Sequence, residues 1–117
     1  MINKITFILI FLLLCAIYSC KEPHKKANYI PLVTELHQIE CEQVKKSGLN
    51  FTVNDTNIYT FRGIAFDRIM TKDPNAKLIA HYEDLYQKLA AMEYFMDEDE
   101  KSDYRNDVKK EYLIPCK

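Results

Sequence analysis

The chain has 117 residues, with 16 lysines and arginines against 17 aspartates and glutamates, for a formal net charge of −1. So even a balance excludes a nucleic-acid binder that works through a basic field. With only two glycines, Gly48 and Gly63, a glycine-rich phosphate loop is excluded as well.

The chain opens MINKITFILIFLLLCAIYSC. Met1 and Lys4 carry positive charge, and no charged residue follows from Ile5 to Ser19. A basic start and an apolar run make the pattern of a secretory signal peptide. The competing reading is a retained anchor helix. Fifteen helical residues reach roughly 22 Å at 1.5 Å per residue, whereas a bilayer core of about 30 Å asks for about 20 apolar residues. Lys21, Lys25 and Lys26 then close the run. The expectation is a cleaved leader at residues 1–19.

Ile17-Tyr18-Ser19-Cys20 resembles the lipobox of bacterial lipoproteins, with Ile17 and Ser19 fitting the family pattern and Tyr18 departing from its usual small residue. The resemblance covers the leader and implies cleavage before Cys20, a diacylglycerol on the Cys20 sulfur and an acylated, palmitate-type amino terminus. Several acyl chains at about 0.8 kcal/mol per buried CH₂ exceed what stable anchoring needs. Cysteine arithmetic agrees. Cys15 leaves with the leader, and Cys20, Cys41 and Cys116 remain, an odd number in an exported chain. Lipidation of Cys20 leaves Cys41 and Cys116 as a disulfide pair. The alternatives are a free Cys20 after ordinary cleavage at Ser19, and two buried thiols at 41 and 116.

The mature chain would keep 98 residues, one domain, with 15 basic and 17 acidic residues once Lys4 is gone. Residues 20–28, with KEPHKKAN after the cysteine, read as lipid anchor and tether, and residues 29–117 as a single helical domain. Pro31 suits the first position of a helix, Leu32, Val33, Leu36 and Ile39 recur at helical spacing, and Gly48 suits its end. This predicts a helix over 31–47. Residues 49–62 admit two readings. LNFTV and IYTF around NDTN can form a hairpin, or Asp55 can cap a helix with a stripe of Ile58, Phe61, Ala65 and Ile69, at the cost of Gly63 inside it. The helix is preferred, which gives an all-α fold, a small bundle of three to four helices. The hairpin would make it α+β. Asp73 then reads as a cap with Pro74 first in the next helix. That helix, 75–96, carries the clearest seam of the chain: Leu78, Tyr82, Leu85, Leu89, Met92 and Met96. Asp97 and Glu100 form a capping-box pattern for a last helix with Tyr104, Val108 and Tyr112 on one face, ended by Pro115.

No catalytic or metal motif stands out. The acids at 97–103 fail the calcium-loop pattern because Lys101 and Ser102 occupy its fifth and sixth places. His37 and Cys41 are four apart, a spacing that can put two metal ligands on one helix face, but pairing of Cys41 in a disulfide would remove that site. There is no G-x-S-x-G elbow and no H-E-x-x-H. Neither a cofactor nor a metal is expected. Tyrosine is abundant and suits protein interfaces. Tyr94 and Tyr104, beside Asp97, Glu98, Asp99 and Glu100, are the candidate partner contacts. The reading is a non-enzymatic, protein-binding lipoprotein of the bacterial envelope, of immunity, inhibitor or accessory type. It would be held to a membrane by its lipid, the outer membrane in preference to the inner, facing the periplasm or the surface. The alternatives are a small envelope hydrolase and a secreted, unlipidated factor.

Overall fold

The computed structural model describes residues 26–72 and 75–117, together with Thr6, Ile8 and Leu9. The expected leader, the lipidated Cys20 and the Asp73-Pro74 cap lie outside the described residues. Among the described residues the fold is all-α: α1 (Lys26–Lys46), α2 (Ile58–Asp67), α3 (Ala76–Tyr94) and α4 (Glu98–Tyr112), with a wide π turn, Arg68–Lys72, continuing α2. No strand occurs among them, so the hairpin alternative falls. No helix among them is long and apolar enough to cross a membrane.

α1 is the hub, and α2, α3 and α4 all pack on it. A helix with three neighbours must bury more than one stripe, and α1 buries Tyr29, Val33, Leu36, Cys41 and Val44 together with the polar His37, Glu40 and Gln43. It starts five residues before the expected position, and Pro31 sits inside it rather than at its first position. An interior proline costs about 3 kcal/mol in an isolated helix. Here tertiary contacts hold the turn before it. Tyr29 is buried, its hydroxyl donates to Asp107 of α4 at 2.5 Å, and Lys26 pairs with the same carboxylate at 3.4 Å. The last residues assigned to the tether, 26–28, therefore belong to the first turn of α1. At the other end Gly48 takes the left-handed conformation, φ +78°, that its position after the helix requires.

Residues 49–57 form a loop. Asn54 accepts from the Thr56 backbone N–H and hydroxyl, and Asn57 accepts from the Asn54 N–H. These side-chain bonds close the local turn that a hairpin ladder would otherwise have supplied. Phe51 packs against Phe61, their rings 5.8 Å apart. The cap of α2 is Asn57, not Asp55. Its expected stripe holds: Phe61, Ala65 and Ile69 are fully buried.

Asn75 caps α3 by accepting from the N–H groups of Lys77 and Leu78. Tyr82, Leu85 and Leu89 of the seam are buried. Met96 is buried too, although the helix itself stops at Tyr94. The capping box of α4 is formed as expected: Asp97 accepts from the Glu100 N–H at 2.8 Å, and Glu100 accepts from the Asp97 N–H at 3.3 Å. After α4 the chain returns to α1, where Cys116 is bonded to Cys41, their Cα atoms 5.5 Å apart and 75 positions apart in sequence.

Closing a loop of that length removes chain entropy worth about 4.5 kcal/mol in the loop-entropy account. The paired Cys41→Ala and Cys116→Ala variant is expected to lose roughly that much unfolding free energy in urea, with the helical circular dichroism of the folded baseline retained. A loss below about 1 kcal/mol would show that non-covalent packing alone holds the C-terminal segment.

Candidate functional site

The least ordinary feature of the interior is an acid. Val33, Leu36, Glu40 and Val44 follow one helical stripe of α1, so Glu40 occupies a core position and is fully buried. Arg62 stands in the same way among Ile58 and Ala65 of α2 and Ile69 of the π turn that continues it. The two meet at 3.3 Å, Arg62 Nε to Glu40 Oε2. The other carboxylate oxygen accepts from the Tyr112 hydroxyl at 2.7 Å and from the Tyr82 hydroxyl at 3.2 Å. One group from each of the other three helices thus converges on a single carboxylate of α1. Arg62 also donates to the Tyr86 hydroxyl, and its guanidinium carbon lies 4.6 Å from the Tyr112 ring centre and 5.2 Å from that of Tyr86, within cation–π range.

The electrostatics follow from burial. Desolvation pushes the Glu40 carboxyl above its ordinary value, against the opposing pull of the Arg62 charge and the hydroxyls of Tyr112 and Tyr82. Burial alone would lower Arg62, but Glu40 first and then the surrounding tyrosines hold it firmly protonated. Tyr112 and Tyr82 are driven up by desolvation and then by the Glu40 charge, so both remain hydrogen-bond donors.

Arg62, Tyr86 and Tyr112 of this network line a cleft of about 610 Å³. α2, α3 and α4 pack on α1 more than on one another, and the cleft is the space left between them. Val33 and Leu36 lie at the α1 side, and Tyr59, Arg62, Tyr86 and Tyr112 line the rest with apolar positions of α3 and α4. Tyr59 is 89% exposed. Two ion pairs between lining residues tie α4 to its neighbours: Arg105 with Glu93 of α3 at 3.9 Å, and Lys109 with Asp55 at 3.4 Å. Both are exposed, and such pairs contribute little stability. Glu40 itself is not among the lining residues.

The expected partner contacts separate. Tyr94 is 78% exposed, its ring set edge-on to that of Phe95, which is also exposed. Asp97, Glu98 and Asp99 are exposed, and Glu100 is half-buried by its cap. Tyr104 is mostly buried, its ring set edge-on to Tyr29 at 5.1 Å; it also lines the cleft, and burial followed by Glu93 pushes its hydroxyl up to about 12. As a helical neighbour of Val108 it faces the core and not the acidic turn. The residues that sequence reasoning missed are Glu40 and Arg62. Their signal was a charged side chain at an apolar-stripe position on each of two helices.

The second polar cluster lies at the disulfide. His37 is 4% exposed, and its Nδ1 stands 3.5 Å from Glu111 Oε1. Burial lowers its pKa, against the opposing pull of Glu111. On the outer surface His81 pairs with Glu35 at 2.5 Å. Compared with family models, curated proteins and solved structures, the chain has no match.

Removing one member of a buried pair leaves an uncompensated charge, at a cost of about 3–5 kcal/mol. Glu40→Leu is expected to lose that much in chemical denaturation, and Glu40→Leu with Arg62→Met together to recover most of it. Arg62→Met alone adds a pH signature. Without the cation the raised Glu40 pKa rises further, so the folded state holds the proton more tightly than the unfolded one. Its stability then falls as pH rises from the ordinary carboxylate value of 4.5 through the folded-state value. The deficit against the wild type should be largest at neutral pH and shrink toward pH 4.5. A deficit independent of pH would mean that Glu40 is not the group left bare.

Proposed function

We propose that this protein is a lipoprotein of the bacterial envelope, tethered through Cys20, and that it works as a non-enzymatic module whose cleft between α2, α3 and α4 binds a protein partner. The observation that carries the reading is the convergence of Tyr59, Arg62 and Tyr86 on one cleft. Tyrosine and arginine are the residue types that dominate binding energy at protein interfaces. Tyr59 exposes most of its ring to solvent, which the packing of the domain does not call for. Glu93, next to Tyr94, lines the same cleft, so the exposed Tyr94–Phe95 pair and the acidic turn extend the surface.

Two further points support it. The Cys41–Cys116 bond accounts for two of the three cysteines a cleaved chain would keep, leaving Cys20 for the lipid. Among the described residues the one fully buried carboxylate, that of Glu40, is engaged by Arg62 and two hydroxyls and is not among the cleft-lining residues. That suits holding Arg62 in place better than the acid–base work a hydrolase would ask of it.

Two measurements test the halves of the proposal separately. The intact mass of detergent-extracted protein should equal residues 20–117 plus acyl chains, with two thiols released on reduction; an unacylated mass with an alkylatable Cys20 defeats the anchor. A photo-crosslinking residue at position 59 or 94 should give one discrete protein adduct in cells, absent when the same group is placed at Lys77 near the far end of α3. Tyr86→Ala should weaken the adduct from position 59 about tenfold or more, the scale of an interface hot spot. Equal labelling at all three positions would defeat the cleft as the binding surface.

A further inference from the structure

We propose that His37, Cys41 and Cys116 form a Zn²⁺ site when the Cys41–Cys116 bond is reduced, so that the end of the chain is fastened to α1 by a covalent bond in one redox state and by a metal in the other. His37 and Cys41 are one turn apart on α1, and Cys116 arrives from beyond α4. A ring nitrogen of His37 and the two sulfurs all lie within 4.8 Å of one another. Tetrahedral zinc with bonds of about 2.3 Å to sulfur and 2.0 Å to nitrogen needs its ligand atoms roughly 3.5–3.8 Å apart. The sulfurs separate when their bond breaks, and Cys116 is on the C-terminal segment that follows Pro115, so only small movements are required.

The histidine is the second, independent observation. Its Nδ1 faces Glu111, and its buried Nε2 has no hydrogen-bond partner among the described residues. A buried ring nitrogen with nothing to bond is a cost that folds normally avoid. The arrangement is the one found behind metal-bound histidines, where a carboxylate takes one ring N–H and the other nitrogen presents its lone pair. A second cavity, of about 500 Å³, opens beside His37, Cys41, Glu111 and Cys116. It gives an ion, a reductant and a fourth, water ligand a way in. Two thiolates and one imidazole make a donor set suited to zinc.

The chemistry balances. A dithiol reductant gives two electrons and two protons to the Cys41–Cys116 bond, which opens to two thiols while the reductant closes its own disulfide. Zinc then displaces the two thiol protons to solvent, forming two Zn–S bonds and one Zn–N bond.

The test uses the full chain in mild detergent with Cys15→Ser and Cys20→Ser, so that Cys41 and Cys116 are the only thiols. After reduction and removal of the reductant, Co²⁺ serves as the spectroscopic probe and Zn²⁺ as competitor. Expected are one Co²⁺ per chain, a thiolate charge-transfer band, tetrahedral visible bands bleached by Zn²⁺, and none of these with the oxidised chain. Glu111→Gln should weaken binding about 10- to 100-fold, and His37→Phe more than that. One equivalent of Zn²⁺ should raise the urea midpoint of the reduced chain, and leave that of the oxidised chain unchanged. Absence of a 1:1 complex, an unchanged midpoint of the reduced chain, or a His37→Phe variant with unchanged affinity and spectrum would each overturn the proposal.

Discussion

The structure depends on the treatment of one buried carboxylate. Glu40 sits at the centre of the helix that touches all the others, and its partners come one from each of those others: Arg62 from α2, Tyr82 from α3 and Tyr112 from α4. An apolar residue there would pack without caring how the surrounding helices are rotated. A carboxylate cannot, because its charge must meet Arg62 and its Oε1 the hydroxyls of Tyr82 and Tyr112, or the burial is unfavourable by several kcal/mol. The network therefore selects one rotation and one axial position for each helix around α1. That is a statement about specificity. The net stabilisation from such a pair is small compared with what the apolar stripes supply.

The same constraint accounts for the cleft. Three helices drawn toward a common point on a fourth do not close against one another along their outer edges. What is left between them is lined by apolar side chains of α1, by Arg62 and by aromatic rings. Because Arg62 is held by Glu40 and Tyr86, its guanidinium is presented in a fixed orientation. A partner meeting it would not have to order a long, freely rotating side chain, which is one of the ordinary costs of binding.

Much of this was legible before any coordinates. The α3 seam and the α4 capping box are strong local signals, because burial and end-capping both act over one or two turns. The Ile58, Phe61, Ala65 and Ile69 stripe outweighed Gly63. What was not legible depended on distant partners. Pro31 reads as a helix start unless one knows that Tyr29 and Lys26 find Asp107, 78 positions from Tyr29. Glu40 and Arg62 read as solvated charges unless the stripe is allowed to contain charge, and each justifies only the other. Tyr104 reads as a partner contact from its nearness to the acids, whereas its spacing from Val108 and Tyr112 places it on the inner face, where it borders the cleft and not the acidic turn. The leader and Cys20 remain readings of sequence alone.

Cys116 lies beyond α4 in the chain, and its partner Cys41 lies on α1. On a ribosome, or in any passage that delivers the amino terminus first, that thiol arrives after the four described helices have emerged. Among those helices the bond to Cys41 can only seal an arrangement they have already reached. Selection of the right packing thus falls to contacts available earlier, the Glu40 cluster among them.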